Sequence, residues 1–314
     1  MRIAILDDYQ SVAMGSADWG SIPDAEVTAF ADHLDDIDAL AERLRDFEVI
    51  IAMRERTPFP RALLERLDAL KLLITTGGRN ATFDMAATKE RGITVAGTRG
   101  TSSPTAELAW GLIIALARHI PVEDAATRDG QWQTTLGINL EGRTLGVIGL
   151  GNLGGRVARV GKAFGMELIA WSQNLTAERA AEFGATLVTK DELLSRADFV
   201  SIHLQLSDRT RGLLGARELG LMRRDAYLVN TSRGPIVDEA ALIAALESGL
   251  IAGAGLDVFD REPLPLDHPL RKARNVVITP HLGYVTKETY DIFYGDAVED
   301  IRSWAAGSPV RVVE

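Results

Sequence analysis

The sequence predicts an α/β fold built on mostly parallel β-sheets. Short runs rich in Val, Ile and Leu alternate with amphipathic helical stretches along the chain. Several of these runs are continuously apolar, which is typical of strands buried on both faces of a parallel sheet. Strand–helix alternation sustained over this length indicates the α/β class.

The predicted elements form two series, one ending near residue 97 and one running from residue 145 to residue 278. A long apolar helix between the two series begins at Ser103-Pro104, because proline is favoured at the start of a helix. A final helix covers about residues 287–306. The predicted strands are Ile3–Leu6, Val49–Ala52, Leu72–Ile74, Ile93–Val95, Leu145–Ile148, Glu167–Ala170, Phe199–Ile202, Tyr227–Val229, Gly253–Leu256 and Val276–Ile278.

A further helix is predicted over Asp238–Leu246. Its apolar residues recur at helical spacing and therefore share one face. Asp238 can cap the first turn, and the carboxylate of Glu239 suits the positive end of the helix.

Composition excludes several classes of function. The chain has 314 residues, which suggests about two domains, and its net charge is −10 with no basic tract. These features argue against nucleic acid and anionic membranes as partners. The absence of cysteine excludes disulfides, zinc–thiolate sites, iron–sulfur clusters and thiol nucleophiles, and we predict no metal site.

Hydropathy predicts a cytoplasmic protein. The apolar run at the N-terminus is too short for a signal-peptide core and is followed by two acidic residues. The longest apolar stretch, Leu108–Ala117, falls well short of the ~20 residues that cross a bilayer.

A glycine-rich turn points to a dinucleotide. The segment Gly149-Leu150-Gly151-Asn152-Leu153-Gly154 follows the strand Leu145–Ile148 and precedes a helix predicted over Gly155–Phe164. In such a β-α-β unit the glycines permit a tight turn, and the helix N-terminus faces a pyrophosphate. A glycine-rich turn without a ligand is the alternative, but this context favours a cofactor site that includes Asn152 and Leu153.

The residues after the next strand leave the choice of cofactor open. An acidic residue that binds the ribose hydroxyls of NAD is usual there. Here Ser172 and Gln173 occupy the position, so no acid repels a 2′-phosphate, and Arg179 lies only a few residues on. We therefore expect either NAD or NADP at Ser172 and Gln173.

Five histidines are candidates for the proton donor that reduction of a carbonyl needs. His203 and His281 follow buried strands and so are expected at the ligand-binding edge of the sheet, with His203 in the cofactor site. His33 lies in an acidic stretch and is expected on a solvated surface. His119 ends the long apolar helix, and His268 lies in a loop.

Four sequence blocks resemble the D-isomer-specific 2-hydroxyacid dehydrogenases, in particular their phosphoglycerate, glyoxylate and hydroxypyruvate reductase branch. The blocks occur in the family's order and, with the glycine turn and the helix Glu107–Arg118, cover nearly the whole chain. They are Asn230-Thr231-Ser232-Arg233-Gly234-Pro235-Ile236-Val237-Asp238-Glu239, Gly255-Leu256-Asp257-Val258-Phe259, Glu262-Pro263-Leu264-Pro265 and Pro280-His281-Leu282-Gly283.

The resemblance implies a role for each matching residue. Arg233 would bind the substrate's carboxylate and keto oxygens, which suits a planar, permanently charged donor. His281 would exchange the proton with the carbonyl, and Glu262 would stabilise its imidazolium form. Asp257 would contact the nicotinamide carboxamide, and Thr231 would lie beside the cofactor.

The resemblance also implies the domain arrangement. A Rossmann-type NAD(P)-binding domain, residues 100–284, would be inserted into a smaller flavodoxin-like substrate domain made of residues 1–99 and 285–314. The active site would lie in the cleft between them, and the protein would be a homodimer. These remain expectations of the family resemblance.

The predicted substrate loop departs from the family pattern. Gly77 and Gly78 match a loop whose backbone N–H groups hold the substrate carboxylate, but Arg79 is larger than usual. Arg54 could also face the substrate, although a surface position is the alternative. Tyr284 stands where the family usually has a small residue, so it either narrows the substrate site or packs against the last helix.

The function predicted is NAD(P)-dependent interconversion of a small 2-keto acid and a D-2-hydroxy acid. One alternative is a non-enzymatic dinucleotide sensor resembling the C-terminal-binding corepressors. Another is a dehydrogenase of the same fold that acts on formate or phosphite. The sequence leaves the side chain of the substrate open.

Overall fold

The computed structural model describes residues 1–273 and 275–314. The strands are β1 Arg2–Ile5, β2 Glu26–Ala29, β3 Val49–Ala52, β4 Leu72–Thr75, β5 Thr94–Gly97, β6 Thr144–Ile148, β7 Glu167–Trp171, β8 Thr186–Leu187, β9 Phe199–Ile202, β10 Tyr227–Asn230, β11 Gly253–Leu256 and β12 Val276–Ile278. The α-helices are α1 Ile37–Leu44, α2 Arg61–Leu64, α3 Met85–Glu90, α4 Ser103–Arg118, α5 Ile120–Arg128, α6 Asn152–Ala163, α7 Ala177–Ala181, α8 Lys190–Arg196, α9 Ala216–Leu221, α10 Glu239–Glu247 and α11 Lys287–Ala305.

The chain divides into two units, and the first consists of Met1–Thr101 and Val285–Glu314. Its sheet is parallel and has the order β2-β1-β3-β4-β5, which is the order of flavodoxin-like folds. Helix α11 is tied to this unit by Asp296, which is buried and accepts the backbone N–H of Arg99 at 2.7 Å. The last helix therefore returns to the fold formed by the first hundred residues.

The second unit, Ser102–Tyr284, contains a parallel sheet of the order β12-β11-β10-β9-β6-β7-β8. The strands of its centre are almost wholly buried because apolar helices cover both faces, as their continuous apolar sequences predict. The order of the strands reverses between β6 and β9, because the chain continues from β6 to β8 on one side and from β9 to β12 on the other. In a doubly wound sheet of this kind the ligand binds at the carboxyl ends of the strands beside that reversal.

All ten predicted strands are present. Their ends differ by one residue at most, except that β5 ends at Gly97, two residues beyond the predicted Val95. Strands β2 and β8, each at one edge of its sheet, were not predicted. Neither strand has a buried residue, and β8 has only two residues, so the apolar pattern is weak in both. Helix α6 begins at Asn152 rather than Gly155, because its first turn is built from the glycine-rich segment itself.

The helix predictions at Ser103 and Asp238 are confirmed. Helix α4 begins at Ser103, and the Asp238 side chain accepts the backbone N–H of Ala241 at 2.9 Å at the start of α10. Within the described part of the chain, no helix has both the length and the apolar character needed to cross a membrane.

The expectation that His33 lies on a solvated surface is wrong. Its side chain is only 10% exposed, and its Nδ1 lies 2.8 Å from Oδ1 of the buried Asp7. The other oxygen of Asp7 accepts the Thr57 hydroxyl at 2.7 Å, and Nε2 of His33 lies 3.1 Å from Asp35. The prediction was wrong because it used only the acidic segment around His33, whereas the buried partner Asp7 lies outside that segment.

Candidate active site

Two of the three glycines in the turn after β6 are sterically required, and the third is not. Gly149 has φ +95°, and a Cβ there would lie 2.6 Å from the carbonyl oxygen of His203. A Cβ on Gly154 would lie 2.1 Å from the carbonyl oxygen of Gly149. Around Gly151, by contrast, no atom of the described residues other than Gly151 and its two chain neighbours lies within 4 Å of where a Cβ would stand. The first and third glycines thus shape the turn, whereas the second borders open space.

That space lies at the N-terminus of α6. Asn152 and Leu153 form the first turn of this helix, and Gly151 is its N-cap and has no side chain with which to cap it. The N–H groups of a first helical turn have no partners within the helix, and they bear partial positive charge. Their placement beside Gly151 suits an anionic group such as a pyrophosphate.

Two buried polar atoms follow the neighbouring strands. Nδ1 of His203 and Oγ1 of Thr231 have no hydrogen-bond partner among residues 1–273 and 275–314. His203 is held by a contact of 2.8 Å between its Nε2 and Oγ of Ser201, and burial lowers its pKa to about 4. His203 is therefore neutral near pH 7 and lacks the charge of a proton donor. Unsatisfied buried polar atoms are rare, and here they suit a polar ligand such as the dinucleotide.

The position predicted to select between cofactors carries no charge. Ser172 follows β7 and is half-buried, whereas Gln173 is exposed. The guanidinium of Arg179 is bonded to Glu182 and lies 4.7 Å from the ring centroid of Phe183. The turn after β7 thus offers polar, uncharged side chains at Ser172 and Gln173, with Arg179 engaged on α7.

Arg233 is presented by a turn that Asn230 organises at the end of β10. The Asn230 side chain donates to the carbonyl of Arg233 at 2.9 Å and accepts the N–H of Ser232 at 3.0 Å. The Ser232 hydroxyl donates to the Ile202 carbonyl at 2.8 Å, which ties the turn to β9. Arg233 itself is half-buried, and its guanidinium donates to the Ser232 carbonyl at 2.7 Å.

His281 and Glu262 form a direct pair. The Nδ1 atom of His281 lies 2.5 Å from Oε2 of Glu262, and the side chains are 18% and 28% exposed. The second oxygen of Glu262 accepts the N–H of Phe259 at 2.9 Å, which fixes the carboxylate. The His281 side chain is partly exposed and is oriented through Nδ1, which suits a histidine that exchanges protons.

Tyr284 packs against this pair. Its ring centroid lies 5.5 Å from that of His281 at an interplanar angle of 72°, an edge-to-face contact, and only 8% of the residue is exposed. The Tyr284 side chain therefore supports the His281 ring directly.

Asp257 holds the turn that carries His281. Its carboxylate accepts the Thr279 hydroxyl at 2.6 Å and the N–H groups of Leu282 and Gly283 at 2.7 and 2.8 Å. Burial raises the pKa of the Asp257 carboxyl, and these donors oppose the rise. Because His281 itself has φ +55°, the turn needs such restraint. The predicted contact of Asp257 with the nicotinamide carboxamide stays a prediction.

The predicted substrate residues of the first unit also lie together. Gly77 has φ +97°, and a Cβ there would lie 1.8 Å from a guanidinium nitrogen of Arg54. The Gly77 N–H donates to Thr98 Oγ1 at 2.7 Å. Gly78 and Arg79 are exposed, so the loop presents its polar groups to solvent. Arg54 is part of this loop region and not a separate surface residue.

Sequence reasoning gave no role to Asn230 and Ser232, although both lie in the quoted block around Arg233. Asparagine directly after a buried strand is the signal that was available, since such a side chain often organises a turn. Among the described residues no group of three or more His, Asp or Glu side chains could hold a metal ion.

Comparison with known proteins decides the family. The model of "D-isomer specific 2-hydroxyacid dehydrogenase, NAD binding domain" matches residues 110–283. The chain belongs to the D-isomer-specific 2-hydroxyacid dehydrogenase family. Its cofactor is accordingly NAD or NADP, and the glycine turn and the two unsatisfied polar atoms are the features of this chain that fit one.

Two relatives and one solved structure give the extent of the likeness. A glyoxylate reductase of Aeropyrum pernix is 41% identical over 255 residues, which is 78% of this chain and 76% of the relative. A D-3-phosphoglycerate dehydrogenase of Methanocaldococcus jannaschii is 40% identical over 79% of this chain, but the match spans only 48% of that longer protein. A phosphoglycerate oxidoreductase from Vibrio cholerae superposes with a TM-score of 0.94 at 39% identity, covering 98% of this chain and 99% of that one.

Proposed function

We propose that this dehydrogenase reduces a small 2-keto acid to a D-2-hydroxy acid with NADH or NADPH, and catalyses the reverse oxidation. The observation that carries the proposal is the 2.5 Å contact between His281 and Glu262. Arg233, Glu262 and His281 follow three adjacent strands, β10, β11 and β12, at their carboxyl ends. A proton donor, its carboxylate partner and a guanidinium thus belong to one edge of the sheet.

Each of the three side chains has a separate task. Arg233 binds the carboxylate and keto oxygens of the substrate, because its guanidinium is a planar, permanently charged donor. His281 gives a proton to the carbonyl oxygen during reduction, and Glu262 stabilises the imidazolium form that gives it. The reduced cofactor supplies the hydride when bound. His203 is a poor alternative donor, because burial lowers its pKa to about 4.

The proposed substrate is small and carries a carboxylate. We assign the loop of Gly77, Gly78 and Arg79, with Arg54, to substrate binding. Because the Gly77 N–H is already bonded to Thr98, the N–H groups of Gly78 and Arg79 are the ones we expect to bind a carboxylate. The names of the relatives, glyoxylate reductase and D-3-phosphoglycerate dehydrogenase, support 2-keto and 2-hydroxy acids as the class.

We also propose that the protein is a homodimer. Large apolar side chains are exposed on α5 and on the segment that follows it, namely Ile120 at 49%, Val122 at 44%, Trp132 at 77% and Leu136 at 91%. A concentration of exposed apolar residues in one segment is typical of a protein–protein interaction site. Sedimentation of the wild type and of Trp132→Ser with Leu136→Ser tests this: two dimers of equal stability would contradict the assignment.

A panel of 2-keto acids tested with NADH and with NADPH addresses the function. We expect loss of the reduced cofactor's absorbance with at least one small acid such as glyoxylate or hydroxypyruvate. Cofactor binding without turnover of any acid would favour a dinucleotide sensor. Turnover of formate or phosphite instead would favour a different dehydrogenase reaction on this fold.

A further inference from the structure

The loop that carries Glu262 is attached to the rest of its unit at both ends. Residues 260–268 connect β11 towards β12, and we call them the Glu262 loop. Glu262 lies on this loop, whereas His281 follows β12. The 2.5 Å contact between them therefore depends on how firmly the loop is held.

Glu239, the first residue of α10, binds both ends of the Glu262 loop. Its Oε2 accepts the backbone N–H of Asp260 at 3.2 Å, and its Oε1 lies 3.0 Å from Nε2 of His268. The N–H of Leu270 points to Nδ1 of His268 at 3.4 Å, which leaves the proton on Nε2 to donate to Glu239. One half-buried carboxylate thus spans the loop from its first residue to its last.

A second contact places the same segment against the loop. Gly234 lies directly on the peptide between Phe259 and Asp260, because a Cβ at Gly234 would stand 2.1 Å from the Phe259 carbonyl carbon. Gly234 is adjacent to Arg233, and Glu239 follows five residues later. The segment that presents Arg233 therefore also fixes the position of Glu262.

We propose that Glu239 is a positioning residue, which sets the geometry of the Glu262–His281 pair by anchoring the Glu262 loop. This inference rests on the proposed function, since it assigns a further residue to the same reaction. Glu239 bonds to the loop on which Glu262 lies and acts on His281 only through Glu262. Loss of the anchor lets Glu262 move away from Nδ1, and a weaker contact stabilises the imidazolium less.

The expected effect is larger on the proton transfer than on folding. A displacement of about 1 Å in a catalytic arrangement can cost about 10²-fold in rate, so we expect a fall in kcat of about tenfold or more. Burial and the nearby Glu239 carboxylate raise the pKa of Asp260, whereas Arg211 and His268 lower it. Removing Glu239 therefore also removes the repulsion between the carboxylates of Glu239 and Asp260. A change in stability alone therefore does not report on the anchor.

A double-mutant cycle separates the roles. Wild type, Glu239→Ala, Glu262→Gln and the double variant are compared by the pH at which the His281 ring signal titrates in NMR spectra, with signals assigned by single histidine substitutions. The alkaline limb of kcat/KM for reduction is measured in parallel. Glu247→Ala is the matched control, because Glu247 is an exposed acid at the other end of α10.

The proposal predicts that Glu239→Ala moves the His281 titration to lower pH, and that it causes no further movement in the Glu262→Gln background. No movement in Glu239→Ala, or equal movement in both backgrounds, would overturn it. If Glu239→Ala does not fold, Glu239→Gln takes its place, because the amide oxygen can accept only one of the two donors; the same direction is expected.

The NMR readout also separates this inference from the proposed function. A wild type that reduces no keto acid while the cycle behaves as predicted removes the reaction but not the positioning role. An unchanged titration in Glu262→Gln removes both, since Glu239 has no other route to His281.

Discussion

Gly154 lies against Gly149 so closely that a Cβ at position 154 would stand 2.1 Å from the Gly149 carbonyl oxygen. Real Cβ atoms do not approach backbone oxygen so closely, so one side of the turn would have to shift. Gly151, between them, has open space where its Cβ would stand. The fold of the turn therefore requires glycine at positions 149 and 154, whereas the space beside Gly151 is the place where we expect the cofactor.

Gly151→Val should leave the fold intact and weaken cofactor binding. The side chain would occupy the space next to the N-terminus of α6, where we expect the pyrophosphate. We predict a Kd for NADH or NADPH raised at least about tenfold, equivalent to about 1.4 kcal/mol. Gly154→Ala is the contrast, with a loss of about 1–3 kcal/mol in the free energy of unfolding from overpacking. Calorimetric titration measures cofactor affinity, and urea unfolding measures stability. If both variants lost only affinity, or both lost only stability, the prediction would be refuted.

Ser172→Asp should move the preference towards NADH. A carboxylate there would bind ribose hydroxyls and repel a 2′-phosphate. Two unit charges at 4 Å repel by about 1 kcal/mol in water and by more in a shielded site, so the NADPH/NADH ratio of kcat/KM should fall at least about fivefold. Asn174→Asp, on an exposed neighbour, is the control. An unchanged ratio in Ser172→Asp means that this position does not select the cofactor.

Arg233→Lys should impair both KM and kcat for the keto acid. The charge is kept, but the planar pair of donors is lost. A hydrogen bond to a charged group contributes about 1.5–3 kcal/mol, so kcat/KM should fall about 10- to 100-fold. Arg209→Lys, an exposed position, controls for a general effect of the exchange. Steady-state kinetics in which Arg233→Lys matches the wild type would exclude Arg233 from substrate binding.

His33 should make stability depend on pH. Its hydrogen bond with Asp7 raises the pKa of His33 above its usual 6.5, and burial opposes the rise. A histidine whose pKa is raised in the folded state stabilises that state fully below the unfolded value, and the contribution is lost as pH rises through the folded value. We expect urea unfolding between pH 5.5 and 8.5 to show this loss in wild type and His119→Asn, but not in His33→Gln. If the free energy of unfolding depended on pH in the same way in wild type, His119→Asn and His33→Gln, the prediction would be contradicted.

The buried parallel strands could be predicted because continuous apolar runs bury both faces. β2 and β8 could not, because neither strand has a buried residue and β8 has only two residues, so the apolar pattern is weak. His33 was misread for a different reason. Its decisive partner, Asp7, lies 26 residues away in sequence, and local composition carries no information about such a contact.

The candidate active-site residues were predicted by resemblance, and their placement at strand ends follows from the topology of the sheet. What holds them could not be predicted. The hydrogen bonds between Asp257 and the turn around His281 were not predicted, and its contact with the cofactor stays a prediction. The bond from Glu239 to His268 closes a span of 29 residues, which no helical or strand periodicity reveals.

In the proposed reaction His281 donates a proton under the influence of Glu262. The most direct test is the pH dependence of kcat/KM for keto-acid reduction in wild type, Glu262→Gln and the control Glu247→Gln, with His281→Gln measured alongside. Reduction needs the imidazolium, and Glu262 favours it, so the alkaline limb should move to lower pH in Glu262→Gln only. The rate of His281→Gln should fall about 10²- to 10⁴-fold while cofactor binding is kept. An alkaline limb that stays in place in Glu262→Gln, or an unaffected rate in His281→Gln, would contradict the account.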